Sequence, residues 1–342
     1  MNYKKSKIVS WFETASLDYI IPLIALAGAA IPLYFKAAAW AWQSGDTQAT
    51  FYALVDGMQQ YYDFNTAWRP RLFSTGLAAL LAQASENHFF GKIVLGTSYP
   101  LGLAVAIWTA GWFVLTGLPV ILMIKRRSLF YIFGIFAAVS FGYMDVSIYQ
   151  IDLRIYPWDM PSLFIYVMFV LLFVNKNYKW LLLMIPIGVG FKETSIILCI
   201  GFLFADLPWK QRILMLAWSG ALSFGLKIAL DLYVRGPLFL TMETASNNEY
   251  HSYHLIDNLF QFRKIIPLFV NAGLLMAFYI APASGNKNIT ALKIISIPFF
   301  LGQMLFGGIT EYRIWFEMIP FALYALDLKI YGDPFFSRQA VA

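Results

Sequence analysis

Long apolar runs separated by short polar segments make up most of this sequence. A helix needs about 20 predominantly apolar residues to cross the hydrocarbon core of a bilayer. The runs that approach or exceed this length are predicted as membrane-spanning helices, at positions 17–35, 99–124, 129–145, 160–174, 213–233, 265–281, 289–307 and 312–330. The pattern therefore indicates an all-α polytopic membrane protein.

The segment 179–206 is too short for two full spans, although basic residues flank it on both sides. Its middle contains Gly188 and Gly190, followed directly by Lys192 and Glu193. Non-helical backbone and charge at membrane depth are tolerated only inside protein or beside a watery cavity. We therefore expect two short helices that meet at Lys192 and Glu193, which brings the prediction to about ten transmembrane helices.

The composition narrows the class of protein. Of the 342 residues, 60% are hydrophobic and only 13% are charged, whereas a soluble domain carries about a quarter charged residues. A soluble enzyme, a nucleic-acid binder and a disulfide scaffold are excluded, the last because the chain has a single cysteine. We expect one transmembrane domain, 1–342, with a first outer loop at 36–98 that includes interfacial helices and a second outer loop at 235–264.

Clusters of charge predict the orientation. Basic residues gather beside apolar runs at positions 4–7, 125–127, 176–179 and 210–212, as cytoplasmic loops do under the positive-inside rule. With both termini in the cytoplasm and an uncleaved first helix, most acidic residues fall on the outer face. The chemistry is therefore expected at that face.

Several charged groups lie at the predicted outer ends of helices. Each charge near hydrocarbon costs a few kcal/mol, so together they indicate a shared polar cavity that opens outward. Within it, carboxylates can act as a general base and basic residues can bind a phosphate. The candidate residues are Asp46, Asp56, Arg69, Arg71, Asp152, Arg154, Asp159, Lys192, Glu193, Glu311 and Arg313. Isolated carboxylates such as Asp145, Asp231 and Glu317 are interpreted as ion pairs at helix ends.

The order of these groups resembles the C-type glycosyltransferase superfamily (GT-C), whose multi-spanning members use lipid-phosphate-linked sugars. The resemblance rests on Asp46 soon after the first helix, on the stretch from Arg154 to Pro161, on the element Lys192 to Ser195 and on a late Glu-x-Arg at 311–313. The soluble outer domain and the paired acidic motif of many members are missing. The resemblance implies a GT-C-like fold in a bacterial inner membrane, with the active site facing the periplasm.

The resemblance also implies roles for the candidate residues. Asp46, with Asp56 as the alternative, is expected to be the catalytic base of an inverting hexosyl- or pentosyltransferase of the cell envelope. The expected phosphate-binding residues are Arg69, Arg71, Arg154, Lys192 and Arg313. The carboxylates that would orient these cations or bind sugar hydroxyls are Asp152, Asp159, Glu193 and Glu311.

Alternatives stay open at this point. A polar cavity and a broken helix also suit a transporter or flippase of lipid-linked sugars, and a membrane polysaccharide polymerase would share the outer-face chemistry. A divalent cation, Mg²⁺ or Mn²⁺, is an open alternative to a metal-free reaction. The expected partners are a polyprenyl-phosphate sugar, a glycan, lipid or protein acceptor and the bilayer, and no nucleic acid.

Overall fold

The computed structural model of the chain describes residues 14–43, 73–74, 76–78, 80–81, 100–142, 144–146, 151–153, 156–235, 278–279, 285–306 and 312–332. Its long helices are α1 (Ile21–Gln43), α2 (Pro100–Ile124), α3 (Ser128–Gly142), α4 (Asp159–Val174), α5 (Tyr178–Phe191), α6 (Trp209–Arg235), α7 (Lys287–Phe306) and α8 (Ile319–Tyr331). Shorter helical pieces are a π-helix at Ser16–Ile20 and 3-10 helices at Lys125–Arg127, Glu193–Phe204 and Tyr312–Met318.

One short hairpin interrupts this helical architecture. Strands β1 (Met144–Val146) and β2 (Ile151–Leu153) pair antiparallel between α3 and α4. Apart from this hairpin, the regular elements of the described residues are helical, as the apolar runs predicted. The hairpin itself was not predicted, because six strand residues at the end of a long apolar run leave no alternation that distinguishes them from helix.

Helix α4 lies at the centre of the described structure. Nearly all of its side chains are buried, on every face of the helix, and a helix that is apolar all round is typical of a position surrounded by protein. Its neighbours include α2, α5, α8 and the 3-10 helices Glu193–Phe204 and Tyr312–Met318. Side chains at the start of α4 are therefore held by several elements at once.

Three helices in the described part of the chain are long and apolar enough to cross a membrane: Ser16–Ala39, Ala104–Ile124 and Trp209–Leu232. On α6, large apolar side chains face outward, among them Leu214, Trp218 and Phe224, which are 56%, 57% and 60% exposed. Water would not favour this arrangement, whereas lipid does. The apolar helices therefore indicate membrane association.

The predicted helix positions agree with the structure to within a few residues at most ends. One exception is α1, which continues past Lys36 to Gln43, where alanines with high helix propensity extend it. Another is the predicted span 312–330, which is a 3-10 helix over Tyr312–Met318 followed by α8. The predicted span 265–281 lies outside the described residues except at 278–279. Within the first outer loop, the described residues of 73–81 are helical, and the Ser74 hydroxyl donates a hydrogen bond to the Phe191 carbonyl at 3.1 Å.

The predicted break at Lys192 is present. Helix α5 ends at Phe191, Lys192 is extended with φ −155° and ψ 129°, and a 3-10 helix begins at Glu193. A 3-10 run of 12 residues is long for this helix type. Two short helices thus meet at the pair of charged residues, as the sequence indicated.

Candidate functional site

The centre of the candidate site is an ion pair between two elements that are distant in sequence. The ammonium Nζ of Lys192 lies 3.0 Å from Oε1 of Glu317, and the two side chains are only 8% and 1% exposed. Lys192 is presented by the extended link after α5, and Glu317 by the 3-10 helix Tyr312–Met318. A buried charge is tolerated when it is paired in this way.

Two hydroxyl groups bind the same carboxylate oxygen. Ser162 Oγ donates to Glu317 Oε1 at 2.6 Å, and Thr194 Oγ1 donates to it at 2.7 Å. Oε2, by contrast, is buried without a hydrogen-bond partner among the described residues. One carboxylate oxygen is thus fully used to join α4, the link after α5 and the last 3-10 helix, while the other keeps its hydrogen-bonding capacity.

The backbone around this cluster is closely packed. The Tyr166 hydroxyl, one turn after Ser162 on α4, donates to the Thr194 carbonyl at 3.1 Å. A Cβ atom at Gly188 would lie 2.7 Å from Ile165 and 3.0 Å from Ser195. The glycine therefore allows α5 to approach α4 and the start of the 3-10 helix closely enough for the cluster to form.

The stretch before α4, which carries part of the resemblance, is buried beside the cluster. The rings of Tyr156 and Trp158 stack with centroids 4.9 Å apart, and Trp108 Nε1 donates to the Pro157 carbonyl at 2.9 Å. Asp159 is the first residue of α4 and is 1% exposed. A carboxylate in this first turn is favoured by the helix dipole, so Asp159 helps to fix the start of the helix that carries Ser162.

The hairpin and the last 3-10 helix are neighbours. Strand β1 contacts the segment Tyr312–Met318, and the hairpin register places Asp145 opposite Asp152. Arg313 lies in this 3-10 helix, and Asp152 in β2. The elements that carry Asp152, Lys192 and Arg313 therefore converge near Glu317. The side chains of Asp152 and Arg313 lie outside the described part of the structure.

Other candidate residues fall outside the described residues altogether. They are Asp46, Asp56, Arg69, Arg71, Arg154 and Glu311. Glu193, by contrast, is described: it is partly exposed and begins the 3-10 helix. The predicted catalytic base and most of the predicted phosphate-binding residues therefore stay predictions.

The cavity found beside this cluster is apolar. It has a volume of about 560 Å³, lies between α2, α4 and α5 and has Asn177 as its one lining residue with a polar amide side chain. Lys192, Glu193 and Glu317 do not line it. Among the described residues, no three His, Cys, Asp or Glu side chains come together as a metal site would require.

The sequence interpretation of Glu317 as an ion-pair residue is confirmed, but the pair is buried and joins two distant elements, and Glu317 was not among the predicted site residues. Its hydroxyl partner Thr194 is 123 residues away in the chain, and a single sequence does not reveal such a pairing. One signal was available, because Glu317 interrupts the apolar run Ile314–Tyr324 just as Lys192 interrupts its own run. Ser162 carried no comparable signal.

Comparisons with protein family models, with curated proteins and with solved structures found no match for this chain. Its function is therefore inferred from its own residues.

Proposed function

We propose that this protein is a membrane glycosyltransferase that transfers a sugar from a polyprenyl-phosphate donor to an acceptor hydroxyl at the outer face of a bacterial inner membrane. The observation that supports the proposal most is the ion pair of Lys192 and Glu317. It joins one motif of the GT-C resemblance, Lys192 to Ser195, to Glu317, which lies four residues after the Glu-x-Arg motif at 311–313. The hairpin between the third and fourth helices contacts the same 3-10 helix that carries Glu317.

The proposed reaction is a single displacement. The acceptor oxygen forms a bond to the anomeric carbon, the bond from that carbon to the phosphate oxygen breaks, and polyprenyl phosphate leaves with the electron pair. A carboxylate, Asp46 or alternatively Asp56, takes the acceptor proton. Arg69, Arg71, Arg154 and Arg313 are the proposed cations that stabilise the departing phosphate.

Lys192 has a more specific place in this proposal. Its ammonium group is already neutralised by Glu317, so it can bind a donor phosphate only by exchanging that carboxylate for the phosphate. We therefore assign Lys192 and Glu317 first a positioning role: they hold α4, the start of the 3-10 helix and the segment that carries Arg313 in one arrangement. Glu193, Asp152, Asp159 and Glu311 are proposed to orient cations or sugar hydroxyls.

The proposed topology is about ten membrane helices, with both termini in the cytoplasm. The support for it is the described set of long and short apolar helices, together with the basic clusters at 125–127, 176–179 and 210–212. Cysteine labelling of single-cysteine variants in intact cells tests it. Residues of the loops 36–98 and 235–264 are expected to react with a membrane-impermeant maleimide, and residues near 125 and 210 are not.

A transporter of lipid-linked sugars is a second candidate, because the helix break at Lys192 is a feature of many transporter sites. One experiment separates the two. Purified protein is incubated in detergent with a panel of polyprenyl-phosphate hexoses and pentoses, and the release of free polyprenyl phosphate is measured by mass spectrometry. The proposal predicts release together with a new glycoside. Movement of intact donor across proteoliposomes without bond cleavage would instead support the transporter.

A further inference from the structure

The apolar cavity has the shape of a groove with one polar end. Its lining side chains on α5 run from Asn177 to Phe191, a distance of about 21 Å at the helical rise of 1.5 Å per residue. Its volume of about 560 Å³ falls within the range of ligand sites, roughly 300–1,000 Å³. The groove is thus long, narrow and apolar, which suits a hydrocarbon chain.

The polar end of the groove is the start of α5. Asn177 occupies the N-cap position, yet its side chain makes no capping hydrogen bond. Lys179 is exposed on the first turn, and Trp180, which lines the groove, is 64% exposed. An exposed tryptophan beside a lysine is typical of the level of lipid headgroups. The positive end of the helix dipole adds to the attraction for an anion at this end.

The opposite end of the groove is closed by aromatic rings. The ring of Phe191 packs against those of Phe73 and Trp112, with centroid distances of 5.8 Å and 5.4 Å. Beyond Phe191, the ammonium of Lys192 is directed to Glu317 rather than to the groove. A ligand with a charged head must therefore have its head at Asn177 and its tail toward Phe191.

The position of the polar end of the groove distinguishes it from the proposed donor site at the outer face. The basic cluster 176–179 is on the cytoplasmic side of the predicted topology, whereas a donor that reacts at the outer face needs its phosphate on the other side. One acyl chain of an inner-leaflet lipid therefore fits along the groove from its polar end.

We infer that the groove between α2, α4 and α5 binds one acyl chain of an anionic phospholipid from the inner leaflet, with the lipid headgroup at Asn177 and Lys179. The site is separate from the Lys192–Glu317 cluster. Its assignment to the inner leaflet rests on the proposed topology, and it does not depend on glycosyl transfer. Bound lipid fills the space between α4 and α5 and so supports α5, the helix that precedes Lys192.

Native mass spectrometry of the full-length protein in detergent tests this site. The probes are phosphatidylglycerol and phosphatidylcholine with identical acyl chains, and undecaprenyl phosphate as the competitor. Leu183→Trp fills the groove, and Leu214→Trp on α6 is its control, because the two leucines are 55% and 56% exposed and only Leu183 lines the groove. Lys179→Ala removes the charge at the polar end, and Lys210→Ala, at an exposed lysine of α6, is its control.

We expect the wild type to retain one phosphatidylglycerol in preference to phosphatidylcholine. Leu183→Trp should abolish this retention and Leu214→Trp should not. Lys179→Ala should weaken phosphatidylglycerol binding about fivefold, the factor expected for one lysine near an anionic lipid surface, with no change in Lys210→Ala. If Leu183→Trp does not give a folded protein by gel filtration, Ile187→Trp, which fills the same groove, replaces it.

Two results would overturn the inference. The first is equal retention of both phospholipids with no effect of groove filling. The second is that an equimolar amount of undecaprenyl phosphate displaces phosphatidylglycerol and that Leu183→Trp abolishes the binding of undecaprenyl phosphate. The groove would then be a polyprenyl site. Neither result depends on whether the protein transfers sugars.

Discussion

Lys192 and Glu317 form a buried ion pair, with 3.0 Å between Nζ and Oε1. Ser162 and Thr194 complete the shell around the same oxygen. The pair joins the helix break after α5 to the turn before α8 across the central helix α4. Three segments that are distant in the sequence are thereby held together around one carboxylate oxygen.

Removing either charge should destabilise the protein strongly. Lys192→Met leaves a buried carboxylate without its cation, and Glu317→Gln leaves a buried ammonium without its anion, each at a cost of about 3–5 kcal/mol. The double variant should lose clearly less than the sum of the two, because neither charge is then left alone. Denaturation of the purified variants in detergent gives these values, with the exposed Lys176→Met as the control that changes stability far less. Additive losses would mean that the two groups do not interact.

The close approach of α5 to α4 depends on Gly188. Gly188→Ala should cost about 1–3 kcal/mol because its new methyl group meets Ile165 and Ser195 in a tightly packed region. Gly220→Ala is the control, since a Cβ there meets nothing within 4 Å and alanine is a better helix former by about 1 kcal/mol. The two variants should shift the thermal midpoint in opposite directions. A neutral Gly188→Ala would show that the packing around the cluster is looser than described.

The ion pair between Lys176, which follows α4, and Asp206, which follows the 3-10 helix Glu193–Phe204, predicts that stability depends on pH. Lys176 donates a hydrogen bond to Asp206; this bond first, and then the lysine charge, lower the pKa of Asp206 below its ordinary value. The stability that Asp206 contributes is therefore present above an ordinary carboxyl pKa of about 4 and is lost as the pH falls through the lowered pKa.

The comparison of wild type with Asp206→Asn checks this pH dependence. The difference between their thermal midpoints should be constant near neutral pH and should shrink below about pH 4. It should also shrink in high salt, because both side chains are exposed. A difference that is independent of pH and of salt would show that the ion pair adds nothing to stability.

The parts of the fold that sequence could predict are those set by local pattern. The apolar runs gave the positions of the described helices, and the charged pair at Lys192 and Glu193 gave the break between two short helices. The hairpin at 144–153 and the role of Glu317 could not be derived in this way. The hairpin consists of two strands of only three residues each, which are too short to show an alternating pattern. The role of Glu317 depends on contacts between distant segments, and a lone carboxylate in an apolar run has the same local pattern whether it ends a helix or pairs with a lysine.

The apolar groove could not be predicted from the sequence either. The polar cavity expected from the charged groups at helix ends stays a prediction, because most of these residues lie outside the described residues. In the structure, Lys192 and Glu317 are paired and buried, and a local sequence pattern does not reveal such a pairing. The apolar groove beside them arises from the separation of α4 and α5, which no local pattern encodes.

The measurement that tests the proposed function most directly is the turnover of Asp46→Asn. Release of polyprenyl phosphate and formation of glycoside are followed for the wild type, Asp46→Asn, Asp56→Asn and the exposed control Asp206→Asn, all purified and shown to be folded. We predict that the wild type and Asp206→Asn are active and that Asp46→Asn loses at least about 100-fold of the rate, as expected for the loss of a general base. Loss in Asp56→Asn alone would move the base to that residue. Wild-type turnover in both loop variants would contradict the proposed base chemistry.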